Sequence, residues 1–588
     1  MAHHHETLSS KSSFTTLADV NDAKDVPPAE SSRPQSISPG PQPPSSILSL
    51  RTSSSTVHDE LCPSIPRLSV VHRLAAHIGA ALALFLATTD ATIVSTSLPT
   101  IAVELNMSQD QYIWVGIAYM LTQTAFQPLY GRISDLVGRK LVLYCSMLVF
   151  SLGSLLCGTA QSIAMLLAAR AISGIGAGGI VGSVWVITAE IVEDRNRAKW
   201  SQALSVTWSC SAIAGPVLGG VFSGSHSSRL SWRYGFYLNL PVCLVAFAVL
   251  FPSLRNVTLG KAPNASWRLF IQTFDFGGLF LFMAGSSFIV VGFSLASQHG
   301  WTAPSTLLLI CLGFLTLVGG GVHESRTKRD CLFPAGLFND IRTIAVLVIT
   351  FFHNVAFNAG TFYLALFYQA ANGSTPLQAG LKLLPYSLGS SLASMPAAWF
   401  MTYWERRTQS TSGQNWVVTI GLLISTLGFG FMSLLDETSS ITAELFPLVS
   451  GIGLGMLFHA PYQAFTRTLK RQDLAAGTSA FFLVRFTGAT VGLAIAGAVF
   501  DARALSRIPP ALLINGGTSI DFARLLTLQP PEFKQQILHI IATSIQTIWT
   551  VCAPCLGFSF LLSLSAHLRR VTSPSSDEKA SESDLNAA

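Results

Sequence analysis

Gly131-Arg132-Ile133-Ser134-Asp135-Leu136-Val137-Gly138-Arg139-Lys140 separates two long apolar runs, residues 112–130 and 141–160. Apolar runs of about 20 residues have the length a helix needs to cross a bilayer. The stretch therefore reads as a short, glycine-bounded loop joining two antiparallel membrane helices. Arg132, Arg139 and Lys140 then collect on one side of the membrane. An excess of Lys and Arg in short loops marks the cytoplasmic side.

The rest of the chain agrees with that reading. Of its 588 residues, 50% are hydrophobic and only 11% are charged, whereas a soluble domain carries about 25% charged residues. The apolar runs are continuous, not alternating, which excludes a β-barrel. Fourteen spans are expected near 75–98, 112–131, 141–160, 164–188, 200–223, 233–254, 275–296, 305–322, 343–368, 377–401, 415–435, 442–465, 476–500 and 542–565. Bases gather in alternate loops, around Arg195, Arg255, Arg326, Arg406 and Arg467. Both termini are accordingly expected in the cytoplasm. The net charge of +6 is accounted for by these loops, so no nucleic-acid partner is expected. The cysteines lie mostly within apolar runs, as small packing residues do.

Residues 1 to about 72 are rich in Ser, Pro and Thr and are expected to be a disordered tail. No apolar stretch opens the chain, so no cleaved signal peptide is expected. The sequons at Asn256 and Asn264 fall in a cytoplasmic loop, and those at Asn106 and Asn372 in very short external ones. The one long external loop, about 501–540, contains an amphipathic stretch, Phe533–Ile541, expected on the outer membrane surface.

Several polar residues lie inside the spans. Asp90 places a carboxylate in the first, which is by default a functional candidate; the bland alternative is hydrogen bonding to Thr88 or Thr92. Arg170 opens the glycine-rich run Gly174, Gly176, Gly178 and Gly179. Its guanidinium does not titrate but can hold a nearby carboxylate deprotonated, while the glycines let a neighbouring helix approach. Gly215-Pro216-Val217-Leu218-Gly219-Gly220 reads as a kinked helix with a close neighbour. In the second half, Asn354, Asn358, Tyr386, His459 and Arg485 are candidate cavity residues. His459 is the titratable alternative to Asp90; its bland reading is a packed imidazole. Tyr386, Ser390 and Ser394 share a helix face.

These motifs resemble the major facilitator superfamily, and within it the fourteen-helix drug:proton antiporters of the fungal multidrug and toxin efflux type. Gly131 to Lys140 is similar to the loop between the second and third helices, G-x-L-x-D-x-x-G-R-R/K, with Ile133 in place of Leu. Residues Thr89 to Pro99 resemble the first-helix motif L-D-x-T-I-V-x-x-A-L-P, with Thr89 for Leu and Ser97 for Ala. Arg170 to Gly178 resembles R-x-x-Q-G-x-G-x-G, with Ser173 for Gln. Gly215 to Gly220 matches the motif associated with antiport. Trp232 to Pro241 is similar to W-R-W-x-F-x-I-N-x-P, whose aromatics suit the membrane interface.

The resemblance implies an all-α membrane fold of two six-helix bundles plus two extra central helices. The N-terminal bundle would cover 73–255, the extra pair 256–330 and the C-terminal bundle 331–568, followed by a cytoplasmic tail, 569–588. It further implies proton-coupled efflux of small amphipathic compounds, such as drugs, toxins or secondary metabolites, from a midplane site between rocking halves. Asp90, Arg170 and His459 are the proton-coupling candidates. Gly131, Asp135, Gly138, Arg139 and Lys140 form a conformational gate, in which Asp135 contacts a helix terminus or a base across the halves. The expected partners are a small-molecule substrate, protons and the lipid bilayer. The protein is expected to act as a monomer, in the plasma membrane or alternatively the vacuolar membrane. No ATP is expected, because no G-x-x-x-x-G-K-[ST] loop is present, and no cofactor, metal site or enzyme activity is expected. Siderophore or basic amino acid transport, by import or into a vacuole, and a non-transporting nutrient sensor are the alternatives.

Overall fold

The computed structural model describes residues 69–572, except 108, 193, 224–230, 258, 260–265, 328, 330–340, 409–411, 437–444, 468, 470–473, 510–511, 515–518 and 521–529. The N-terminal tail to residue 68, the segment 573–588 and the sequon at Asn264 thus lie outside the described residues.

The chain is a bundle of long helices. The first half comprises α1 (Val70–Glu104), α2 (Gln109–Val137), α3 (Arg139–Gly158), α4 (Ile163–Ile191), α5 (Asp194–Ser223), the short α6 (Arg233–Tyr237) and α7 (Asn239–Leu254). A surface turn of helix, α8 (Trp267–Thr273), leads to the central pair α9 (Phe276–His299) and α10 (Pro304–Arg326). The second half comprises α11 (Ile341–Leu366), α12 (Pro376–Lys382), α13 (Leu384–Thr408), α14 (Ser412–Met432), α15 (Leu445–Met456), α16 (Ala460–Thr466), α17 (Leu474–Ala504) and α18 (Pro531–Thr572). A two-residue antiparallel pair, Leu513–Ile514 with Ser519–Ile520, precedes α18.

Twelve helices among the described residues are long and apolar enough to span a membrane. Two more, α2 with 29 residues and α13 with 25, occupy the second and tenth expected spans but are more polar. Fourteen spans are consistent with this set. Proline governs two of the breaks. It has no amide proton to donate, and Pro461 stands in the first turn of α16, after the interruption at Leu457–His459. Pro376 likewise opens α12, behind a capping box made by Thr375 and Gln378.

Three sequence readings change. The expected loop at Gly131–Lys140 is almost wholly helical: α2 continues through Val137 and α3 starts at Arg139. Gly138 alone breaks the path, at φ +100°, a conformation that a Cβ disfavours. Trp232 and Phe236 are packed inside the bundle, 2% exposed, whereas Tyr234 of the same stretch is exposed. Trp232 donates its indole N–H to Glu104, and Arg233 pairs with the same carboxylate, closing this end of the first half. Phe533–Ile541 forms the first turns of α18, continuous with the last span, with Ile537 and Ile541 fully buried.

The extra helices pack asymmetrically. Phe274, just before α9, and Leu279 in its first turn pack on Ala480 and Leu483 of α17 and on Leu129 of α2. The outer helix, α10, exposes Leu308, Phe314, Leu315 and Val318, as suits a lipid-facing surface. Gly138, Arg139 and Lys140 mark one end of the bundle, the basic end.

Candidate functional site

The first polar cluster is buried within the N-terminal bundle. Asp90 is 1% exposed and Arg170 0%. Arg170 Nη1 donates to Asp90 Oδ2, and its Nε donates to the Val115 carbonyl at 3.2 Å. Its guanidinium lies 4.2 Å over the Tyr119 ring. The second Asp90 oxygen accepts from Asn239 Nδ2 at 2.8 Å, and the same amide reaches Ser154 at 3.0 Å. Residues of α1, α2, α3, α4 and α7 thus join in one cluster, in which Arg170 and Asn239 hold the carboxylate. Thr88 and Thr92 are not its partners; both hydroxyls donate to backbone carbonyls. Asn239 and Tyr119 were not singled out in the sequence. The N-x-P ending of the Trp232 motif was the available signal for Asn239.

A buried ion pair is weak evidence of stabilisation, because desolvation offsets the attraction, yet removing one partner costs about 3–5 kcal/mol. Asn239 gives the second carboxylate oxygen a donor of its own. The glycines after Arg170 make the approach possible: Gly176 abuts the backbone of Phe150 and Gly174 the carbonyl of Tyr119.

The second feature is a small central cavity of about 40 Å³ between the halves. That space holds only a few waters. Thr88, Ala91 and Thr92 of α1, Gln123 of α2 and Trp208 of α5 line one side, and Asn354, Asn358 and Phe486 the other. Contacts between the halves lie on both sides of it. Towards the basic end, Ser205 Oγ and His459 Nδ1 are 2.8 Å apart, and the Trp185 and Tyr462 rings meet at 4.6 Å. Towards the opposite end, Gln369 donates to the Thr96 carbonyl at 3.2 Å.

Of the five expected cavity residues, Asn354 and Asn358 are in the wall. Tyr386 and His459 are not. Tyr386 donates to the Phe357 carbonyl inside the C-terminal bundle, and Ser390 and Ser394 are buried in helix packing. His459 is held between Ser205 and Gln463, whose amide is 2.6 Å from Nε2. Arg485 stands beside the cavity, 4.2 Å over Trp208 and 5.5 Å from Phe458. A charged side chain at a span centre costs roughly 2.5–3.5 kcal/mol, and a desolvated cation–π contact offsets about 2 kcal/mol.

The two glycine motifs sit at opposite ends. At the basic end Arg139 is 5% exposed and bonds Asp135, Ser134 and Glu190. Lys140 donates to the Leu254 carbonyl at 2.9 Å. Asp135 pairs within its own half, with the base four residues on. Gly215 and Gly219 face α1: a Cβ on Gly219 would lie 2.2 Å from the Ile93 carbonyl oxygen. Gly220 faces the other half, where a Cβ would lie 2.6 Å from the Pro376 carbonyl oxygen.

Fold and buried charges together define a polytopic helical transporter, with a polar site enclosed between two bundles. Residues 80–354 match the Major Facilitator Superfamily model. An uncharacterised transporter of Schizosaccharomyces pombe is 30% identical over 82% of this chain and 80% of its own length. The chain belongs to the major facilitator superfamily. The efflux pump FUS6 of Gibberella moniliformis is 28% identical over 82% of this chain and 86% of its own. The efflux pump dotC of Dothistroma septosporum is 29% identical over 80% of each chain. A bacterial homologue of the human lysosomal transporter Spinster, solved in an inward-facing, unoccupied conformation, shares the fold. Its TM-score is 0.55 at 15% identity, covering 86% of this chain and 100% of that one.

Proposed function

We propose that this protein exports small amphipathic compounds by antiport with protons, from the basic end, which faces the cytoplasm, to the opposite end. The observation that carries the reading is the Asp90–Arg170–Asn239 cluster, because its carboxylate is adjacent in sequence to Ala91 of the cavity wall. A proton arriving at Asp90 removes the charge that Arg170 faces. The guanidinium then keeps the Val115 carbonyl and the faces of Tyr119 and Phe236. The fit of α1 against α4 changes, and with it the positions of Thr88, Ala91 and Thr92. Protonation at this cluster thus biases the rocking equilibrium that opens the cavity.

The names of the fungal relatives support the outward direction. An inward proton supplies about 2.3 kcal/mol per 100 mV of membrane potential, in addition to the pH gradient. ATP has no role in the cycle, the protein works as a monomer, and the plasma membrane is its location. His459 acts in this scheme through its bond to Ser205, holding the basic end closed. Basic amino acids fit less well as substrates, because the one carboxylate of the cluster is already shared by Arg170 and Asn239.

The test is accumulation of a panel of amphipathic dyes and drugs in cells with and without the protein. Lower accumulation that an uncoupler abolishes supports proton-driven export. Accumulation lowered equally with and without the uncoupler contradicts it.

A further inference from the structure

Arg139, Arg170 and Arg485 are the buried arginines among the described residues. The first two face carboxylates. Arg485 does not: among the described residues no acid, hydroxyl or carbonyl accepts from it, and its Nε is buried without a hydrogen-bond partner. Its contacts are aromatic faces, Trp208 at 4.2 Å and Phe458 at 5.5 Å. Trp208 belongs to the N-terminal bundle and Arg485 to the C-terminal bundle, so the pair lies where the halves meet. Trp208 and Phe486, the residue after Arg485, both line the central cavity, with the Asn354 amide on the same wall.

We propose that Arg485 is the anion-recognition residue of the transport site, and that the substrates are amphipathic organic anions: a flat apolar body bearing a carboxylate or comparable acid. The inference rests on the transport reading above and names its substrate class. A guanidinium has five N–H donors in its plane and stays charged. Aromatic contacts on its face leave those donors without acceptors. A planar, two-oxygen anion fits that fork. The rings of Trp208, Phe357 and Phe486 supply a surface for the apolar body. The charge balance favours the same class. An acid bound at Arg485 makes the loaded centre neutral before the halves close around it, whereas a cationic substrate places a second positive charge beside the first.

The test measures binding to the purified full-length protein in detergent, without a proton gradient, so that failure of proton coupling does not affect it. The probes are matched pairs of aromatic carboxylates and their primary amides, in a panel of bodies from naphthalene to larger fused rings. The readout is the concentration dependence of the unfolding temperature. At least one carboxylate is expected to bind about tenfold or more tighter than its amide, the effect of a charge-assisted hydrogen bond. Arg485→Gln should abolish that preference, and Arg485→Lys should retain part of it. If Arg485→Gln does not fold, loss of fit in the charge-retaining Arg485→Lys and in Trp208→Leu provides the same comparison. No carboxylate preference anywhere in the panel, or a preference that stays at its wild-type size in Arg485→Gln or, where that variant does not fold, in both Arg485→Lys and Trp208→Leu, overturns the proposal.

Discussion

Asn239 donates its amide to Asp90 at 2.8 Å across a separation of 149 residues, and through the same amide holds Ser154 at 3.0 Å. The carboxylate is therefore pinned by a neutral donor as well as by Arg170. Asn239→Ala removes a hydrogen bond to a charged group, worth about 1.5–3 kcal/mol. The variant should fold, with a lower unfolding temperature, and should shift the external pH at which transport is half-maximal. Transport measured across a pH series checks this; an unmoved profile places Asn239 outside the coupling cluster.

Ser205 and His459 join the halves on the basic side of the cavity. Removing that bond by Ser205→Ala or His459→Ala should loosen this closure. Hydrogen–deuterium exchange at residues 199–209 and 459–466 is expected to quicken on the order of fivefold, for one hydrogen bond worth about 1 kcal/mol. Faster exchange at the opposite end, with these segments unchanged, would locate the closure elsewhere.

Neighbouring glycines should behave differently. A Cβ on Gly219 meets Ile93 backbone of the same bundle, and a Cβ on Gly220 meets Pro376 backbone of the other. Two helices packed in one bundle cannot separate, so Gly219→Ala should lower stability by about 1–3 kcal/mol. The two halves can separate, so Gly220→Ala should leave the unfolding temperature near the wild-type value and favour a state open at the non-basic end. Unfolding curves with cysteine labelling at that end distinguish the two. Equal loss of stability in both variants contradicts the distinction.

Much of the fold is legible in runs of about 20 apolar residues, and α9 and α10 in particular appear at their expected places. The parts that are not legible depend on three-dimensional pairing. Asp90 and Arg170 each stand out as charges in apolar surroundings, but nothing local says that they face each other. Asn239 is hidden in a motif whose aromatics dominate it, and Trp232 looks like an interface residue until its indole reaches Glu104. The turn at Gly138 is legible as a break, but not as a break of one residue, because Arg132, Ser134 and Asp135 are compatible with either helix or loop. Arg485 is legible as a cation within a span; that no described acid faces it is a property of the packed bundle alone.

Asp275 offers a pH test away from the central site. It caps α9 by accepting from the Gly278 amide at 3.0 Å, and it pairs with His323 of α10 at 2.9 Å. Burial alone would raise its pKa, but the Gly278 amide and His323 together hold it below the ordinary 3.8. A depressed carboxylate stabilises the fold above its unfolded pKa and loses that contribution as pH falls through the folded value. Asp275→Ala should lower stability by about 1 kcal/mol at pH 7, the usual worth of such a cap. The gap from wild type should narrow only below about pH 4. Unfolding temperatures across that range check it, and a gap that closes between pH 7 and 5 contradicts the assignment.

The most direct test of the central claim uses purified protein in proteoliposomes, with a substrate found in the accumulation panel. Wild type and Asp90→Asn are compared for two processes: exchange of labelled for unlabelled substrate without a gradient, and uphill movement driven by an imposed pH gradient. The account expects Asp90→Asn to retain exchange while losing gradient-driven accumulation. Gradient-driven accumulation by Asp90→Asn at the wild-type level would contradict it and move the coupling site away from the Asp90–Arg170 pair.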